Sequence, residues 1–268
     1  MEILTRRAGQ AAHTGHMEIY QDPFDGGELV SEVQGLRNPR SGALYAFREG
    51  LPVFLPSQAV EGPNLRYQRL YDGFATFYDL STRLYALWKG GADRERRWSY
   101  LRKLEVGAGA RVLEVSVGTG ANWSYLAQDL QFHGVDLSWN MLVRCRRLVS
   151  RRGLRAELCQ GLAEHLPYPS GYFDCVYHVG GINFFSDQRA ALAEMVRVAR
   201  SGTRLLVVDE TEEVASRYEN RWPMKMFFKN RPRKIEPPVD LLPPGMQEIA
   251  VETMWDGQLY MLTFRKPI

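Results

Sequence analysis

"RVLEVSVGTGANWSYL", Arg111–Leu126, reads as a buried strand that runs into a glycine-rich turn and then a helix. A strand feeding such a turn at the carboxyl edge of a parallel sheet sets backbone groups beside the crevice where open α/β sheets take their ligands. That narrows the ligand class without choosing the ligand. A dinucleotide loop needs a third small residue so that its helix can approach a pyrophosphate. Counted from Ser116 that position is Ala121, and counted from Gly118 it is Trp123. Alanine is tolerated there, so NAD stays open. A P-loop is excluded, because no Gly-Lys-Ser/Thr follows the turn.

Working outward, short apolar runs alternate with helical patterns, the signature of βαβ units. Strands are expected at Arg111–Val115, Phe132–Val135, Ala156–Cys159, Phe173–Val179 and Thr203–Asp209. Helices are expected at Ala121–Gln128, Ser138–Arg151 and Asp187–Arg200, the last stopped by Ser201-Gly202. Near the end, "EIAVETMWDGQLYMLTF", Glu248–Phe264, is two strand-like runs about Asp256-Gly257, a two-residue hairpin signal. The fold class is therefore α/β: a Rossmann-like, mostly parallel sheet closed by an antiparallel hairpin, with helices on both faces. Upstream, Asn64–Leu104 carries aromatic and leucine positions at helical spacing and reads as a helical cap. Met17–Leu55 reads as a small β-rich unit. The boundaries follow as a tail at 1–16, the β-rich unit at 17–60, the cap at 61–108 and the sheet domain at 109–268.

Bulk properties exclude several classes. With 34 basic against 31 acidic residues and a formal charge of +3, the field is too weak to nominate nucleic acid as a partner. Small-molecule chemistry is expected instead. The basic cluster Arg144–Arg155 reads as a solvated helix face. Cys145, Cys159 and Cys175 form no ligand pair and read as core thiols of a reducing compartment. No stretch approaches the roughly 18 apolar residues of a spanning helix, and the opening lacks the apolar core of a secretory signal. A cytoplasmic protein without membrane insertion is expected, and its oligomeric state is left open.

Asp136 closes the second strand in "FHGVDLS". A carboxylate there can accept charge-assisted hydrogen bonds from both hydroxyls of an adenosine ribose, which NAD and S-adenosylmethionine share. Further pieces separate the two. "EVSVGTG", "GVDLS", "QGLAEHLPYPSGYFDCVYHV", "ALAEMVRVARSGTRLLVVDE" and "YDGFATFYDLSTRLY" stand in the order and at the intervals of one family. Over Tyr71 to about Phe264 the chain resembles the class I S-adenosylmethionine-dependent methyltransferases, particularly the ubiquinone/menaquinone C-methyltransferase branch. The resemblance implies that Glu114, Gly118 and Gly120 border the methionine part of the cofactor. Asp136 with Leu137 would take the ribose, and Ala163 with Leu162 the adenine edge. Tyr71 and Tyr78 of the cap would cover the cofactor, core packing being the alternative.

Two departures stand out. Ser116 replaces a glycine of the family pattern, which is tolerable if its φ stays negative and its hydroxyl turns aside or toward the ligand. Leu162 replaces an acid, so a contact to the adenine amino group must come from elsewhere. The cofactor has no phosphate, so its loop need not be an anion cradle, and a serine near an ammonium is chemically compatible.

"DPFDGG", Asp22–Gly27, and "NPRSG", Asn38–Gly42, resemble the two knuckles of a Trm112-type zinc ribbon. Asp22, Asp25, Asn38 and Ser41 stand at the four cysteine positions, and an amide and a hydroxyl cannot replace thiolates around structural zinc. No metal is expected; oxygen ligands at Asp22 and Asp25 for calcium or magnesium are the alternative.

Methyl transfer from a sulfonium is an in-line displacement that alignment and desolvation can largely serve. Where the acceptor is a phenol, an enol or an activated carbon, a base helps. "YHVGGINFF" offers His178 and Asn183 as catalytic candidates, and "VVDE" offers Asp209 and Glu210. Trp222–Phe228, with five large apolar side chains among cations, is expected to cover an apolar acceptor or to pack on the sheet. The function expected is methyl transfer to a small apolar or aromatic acceptor. A catalytically silent cofactor-binding or scaffold protein of the same fold is the alternative.

Overall fold

The computed structural model describes residues 19–55, 92–218 and 234–268. The expected tail, most of the helical cap with Tyr71 and Tyr78, and the Trp222–Phe228 segment lie outside the described residues.

The first described part is a four-stranded antiparallel sheet in sequential order, β1 (Val30–Glu32), β2 (Gly35–Arg37), β3 (Leu44–Arg48) and β4 (Leu51–Pro52). Helix α1 (Ala92–Leu101) follows, and then an alternating series begins. It runs β5 (Arg111–Val115), β6 (Gln131–Asp136), α2 (Trp139–Arg152), β7 (Arg155–Gln160), β8 (Cys175–Val179), α3 (Gln188–Val198), β9 (Arg204–Glu210) and α4 (Glu212–Tyr218). The antiparallel pair β10 (Gln247–Met254) and β11 (Leu259–Arg265) ends it.

The seven strands of the large sheet lie in the order β10-β11-β9-β8-β5-β6-β7. The five from β9 to β7 are mutually parallel, and β11 joins β9 antiparallel. From β5 the chain first moves outward through β6 and β7, then returns to β8 on the other flank of β5. That reversal opens a crevice outside the carboxyl ends of β5 and β8, the place where open α/β sheets bind ligands.

Alternation along β5 explains the two layers of core. Leu113 and Val115 face the layer that holds Leu192, Met195 and Val198 of α3. Val112 faces the layer that holds Trp139, Leu142 and Cys145 of α2 with Tyr100 and Leu101 of α1. Helix α2 starts where Ser138 accepts the Met141 N–H at 3.3 Å and stops at Gly153, whose φ is 63°. Its basic residues are outside the core, and Arg146 binds Glu49 of the small sheet at 2.7 Å. All three cysteines are free and buried.

Two local expectations are corrected. The helix expected at Ala121–Gln128 is only a 3-10 turn, Ala121–Tyr125, after which Leu126 is extended (φ −99°, ψ 164°). The side chains of Asn122 and Trp123 are drawn inward, and little chain remains to reach β6. At the hairpin, Asp256 and Gly257 do form the turn, with φ of 52° and 83° and Gln258 N–H donating to Trp255 O at 3.1 Å. Trp255 is left-handed as well (φ 61°), so strand pairing stops at Met254 and Leu259.

The small sheet packs on the large one. Val53 bridges Gln160 in parallel at the free edge of β7, and Tyr20, Leu36, Tyr45 and Phe54 enter the same core layer as Leu113 and Val176.

Candidate functional site

The glycine turn is built from alternating left-handed residues: Ser116 (φ 58°), Gly118 (φ 55°) and Gly120 (φ 73°). The negative φ expected of Ser116 is therefore corrected. The turn needs a left-handed residue at this point, and a side chain there costs roughly 1–2 kcal/mol. Gly120 has a second reason to be glycine, since a Cβ would stand 2.7 Å from Cys145 Sγ. The turn is tied to the second strand: Val117 N–H donates to Val135 O at 3.1 Å, and Gly118 N–H donates to Asp136 Oδ2 at 2.7 Å.

One crevice gathers Val115 and Ser116 from the turn, Val135, Asp136 and Leu137 from the end of β6, Gly161–Glu164 from the loop after β7, and Phe185 from the loop after β8. Five residues expected at the cofactor (Ser116, Asp136, Leu137, Leu162 and Ala163) share this lining. Asp136 Oδ1 accepts the Ser138 N–H at 2.8 Å and Oδ2 accepts that of Gly118. An ionised carboxylate is a strong acceptor for hydroxyl hydrogen bonds, and this one lines the crevice. The apolar lining beyond it suits a flat base. By this measure the residues fit an adenosyl group.

Glu114, expected at the methionine part of the cofactor, is held by neighbouring side chains. It is 1% exposed and lies beneath the loop, with Asn122 Nδ2 donating to Oε1 at 2.6 Å and Tyr177 OH donating to Oε2 at 2.8 Å. Arg97 Nη1 and Tyr100 OH of α1 donate to Asn122 Oδ1 at 2.7 and 3.1 Å. Burial pushes the Glu114 carboxyl up to about 7, although the bonds from Asn122 and Tyr177 and the charge of Arg97 oppose it. Glu114 thus ties β5 to the 3-10 turn and to β8, and Gly118 donates to Asp136 of the crevice lining.

His178 is corrected as a crevice-facing base. The ring is fully buried, and Nδ1 lies 2.9 Å from Val115 O, a group that only accepts. Nδ1 therefore carries the proton. Nε2 is buried without a partner among the described residues, and Phe185 packs against the ring at 5.1 Å. Burial pulls the imidazole down to about 4, so it stays neutral at physiological pH. Asn183 donates from Nδ2 to Asp209 Oδ2 at 2.8 Å. Asp209 also accepts the Gly181 N–H at 3.2 Å and the Asn183 N–H at 3.3 Å, fixing the loop after β8. Burial raises Asp209 to about 6, and burial with the charge of Asp209 raises Glu210 to about 7.

Glu164 and Phe185 line the crevice and were not singled out from the sequence. Glu164 was within reach, since "GLAEHLP" keeps an acid two residues after Leu162. Its Oε1 accepts the Ser186 and Asp187 N–H groups at 3.0 and 3.3 Å, joining the two loops that form the crevice mouth. Three of the four ribbon positions also find a use. Asp22, Asp25 and Asn38 join through the Asn38 amide, so their lone pairs face N–H and O–H donors.

Comparison with known proteins agrees with this geometry. Residues 113–207 match the model of a methyltransferase domain, Methyltransf_11. A phthiotriol/phenolphthiotriol dimycocerosates methyltransferase of Mycobacterium leprae is 30% identical over 168 residues, 62% of this chain and 52% of that protein. A demethylmenaquinone methyltransferase of Thermus thermophilus is 35% identical over 144 residues, 52% of this chain and 64% of that protein. The chain thus spans between half and two thirds of the length of these curated relatives. In fold, it is similar to the [4+2]-cyclase SpnF, with a TM-score of 0.55 at 20% identity, over 65% of this chain and 80% of that one. It is equally similar to Haemonchus contortus phosphoethanolamine N-methyltransferase 2 in complex with S-adenosyl-L-methionine, with a TM-score of 0.54 at 18% identity, over 65% and 53%. By strand order, the acid-closed second strand and the matched domain together, the sheet domain of this chain is similar to the class I S-adenosylmethionine-dependent methyltransferases.

Proposed function

We propose that this chain transfers a methyl group from S-adenosylmethionine to a small, apolar or aromatic acceptor. The observation that carries the reading is the crevice itself: Ser116, Asp136, Leu137, Leu162 and Ala163, drawn from three separate loops, line one depression at the strand-order reversal. The bound cofactor supplies a methyl carried on a sulfonium and open to displacement. The protein's share is to hold and orient. Asp136 would hold the ribose, Val135, Leu137, Leu162 and Ala163 would flank the base, and Glu164 keeps the two mouth loops together. Asn183, held by Asp209 in the loop after β8, would face the acceptor. The buried, neutral His178 supports its loop and is not assigned proton transfer. Much of such a displacement can come from alignment and exclusion of water.

An apolar acceptor draws support from the relatives, a demethylmenaquinone methyltransferase and a phthiotriol/phenolphthiotriol dimycocerosates methyltransferase. No helix among the described residues is long and apolar enough to cross a membrane. We further propose cytoplasmic action on small molecules rather than nucleic acid. The organisation proposed is a tail, a small β-rich unit, a helical cap and the sheet domain.

Incubation with methyl-tritiated S-adenosylmethionine and a panel of quinols, phenols and lipid hydroxyls tests the reading. Label should move to an organic-extractable product. Tight cofactor binding with no transfer to any member would favour the silent, scaffold role.

A further inference from the structure

The small N-terminal sheet carries no residue of the crevice, yet it holds the loop that does. Its two turns meet at Asn38, which is fully buried. Asn38 Nδ2 donates to Asp22 Oδ2 at 2.7 Å and to the Asp25 carboxylate at 2.9 and 3.0 Å. Its Oδ1 accepts the Arg40 and Ser41 N–H groups at 2.9 and 3.2 Å. Asp22 Oδ1 in turn accepts the Phe24 N–H and the Tyr45 OH, both at 2.9 Å. The packing is close, since a Cβ on Gly27 would stand 2.7 Å from Asn38 Nδ2.

What this knot fixes is the placement of residues 20–24 against the loop after β7. Phe24 lies 4.8 Å from the His165 ring, Gln21 N–H donates to Pro167 O at 3.1 Å, and Tyr20 packs 5.4 Å from Tyr168. At the other end of that loop, Phe54 N–H donates to Gln160 O at 2.7 Å, and Gln160 Nε2 donates to Leu137 O at 2.8 Å. The segment between these pins, Gly161–Glu164, is one wall of the crevice. Phe24 is 43% exposed, so its contact with His165 serves placement more than burial.

We infer that the small sheet, through Asn38 and Phe24, positions the Gly161–Glu164 wall and so sets the affinity of the crevice for its adenosyl ligand; this rests on the cofactor reading above. A wall pinned at both ends before the ligand arrives spares binding the cost of ordering it. Coupling between two sites is reciprocal. The ligand should then steady residues 20–47, which it does not touch.

The test titrates S-adenosylhomocysteine into the full chain and into Asn38→Ala and Phe24→Ala, at temperatures where each is folded. Asn38→Ala should weaken binding on the order of tenfold, within the usual span of such couplings, and Phe24→Ala several-fold. Leu192→Ala, a core change on α3, should lower thermal stability without a matching loss of affinity. If Asn38→Ala does not fold, Phe24→Ala and hydrogen exchange on the unaltered chain decide. Added S-adenosylhomocysteine should slow amide exchange across 20–47. Unaltered affinity in the variants and unaltered exchange there would overturn the inference alone. A wild-type chain that binds no S-adenosylhomocysteine would overturn the crevice reading and the inference with it.

Discussion

Ser116 shows how a single residue can carry both the family pattern and a departure from it. The sequence makes the position recognisable by its neighbours Glu114, Gly118 and Gly120, but a one-letter pattern does not reveal φ. The structure holds Ser116 at 58°, in the region that glycine enters freely. Ser116→Gly should release about 1 kcal/mol of left-handed strain, partly offset by the greater freedom of glycine in the unfolded chain. Urea unfolding should show the variant equally stable or up to about 1 kcal/mol more stable, with cofactor affinity kept. A marked loss of affinity would instead make the hydroxyl a direct ligand. Asp136 was legible as a crevice residue from its place at the end of the second strand, and Leu162 and Ala163 through the family resemblance. His178 was legible as a strand-end residue but not as a buried one, since the ring that covers it, Phe185, comes from the loop beyond.

Among the elements, helices with caps were readable and the bracing beneath the turn was not. Ser138 and Asp187 mark helix starts in the sequence as they do in the structure, whereas α3 ends at Val198, with Ala199 extended, short of the stop expected at Ser201-Gly202. The link from Arg97 and Tyr100 on α1 to Asn122, and from Asn122 to Glu114 on β5 and Tyr177 on β8, joins residues distant in sequence, and no spacing rule announces it. The link has a pH signature. Glu114 is raised from 4.5 to about 7 by burial, so the folded chain keeps a proton that the unfolded chain gives up. Its contribution is complete below pH ~4.5 and is lost as pH rises to about 7, the span over which only the folded chain holds the proton. The loss amounts to roughly 2–4 kcal/mol. Glu114→Gln removes this dependence. Denaturant curves should show the variant gaining on the wild type between pH 5 and pH 8, and parallel pH profiles would count against a buried, proton-retaining carboxyl.

For the molecule as a whole, alternation of strand and helix announced a parallel sheet finished by a hairpin, and the strand order of the structure is that architecture. The ribbon-like spacing of Asp22, Asp25, Asn38 and Ser41 was also visible, but its physical content was not. Side chains that cannot hold structural zinc cluster around an amide and tie the small sheet to the crevice wall. Docking of one unit on another depends on surfaces assembled from both, which is why it stayed hidden. The central claim is that this crevice takes an adenosyl cofactor through Asp136. Titration calorimetry with S-adenosylhomocysteine tests it most directly. The account predicts one site per chain, with Asp136→Ala weakened by on the order of 1.5–3 kcal/mol, as for a hydrogen bond to a charged group. Equal affinity in wild type and Asp136→Ala, or binding of NAD in its place, would contradict it.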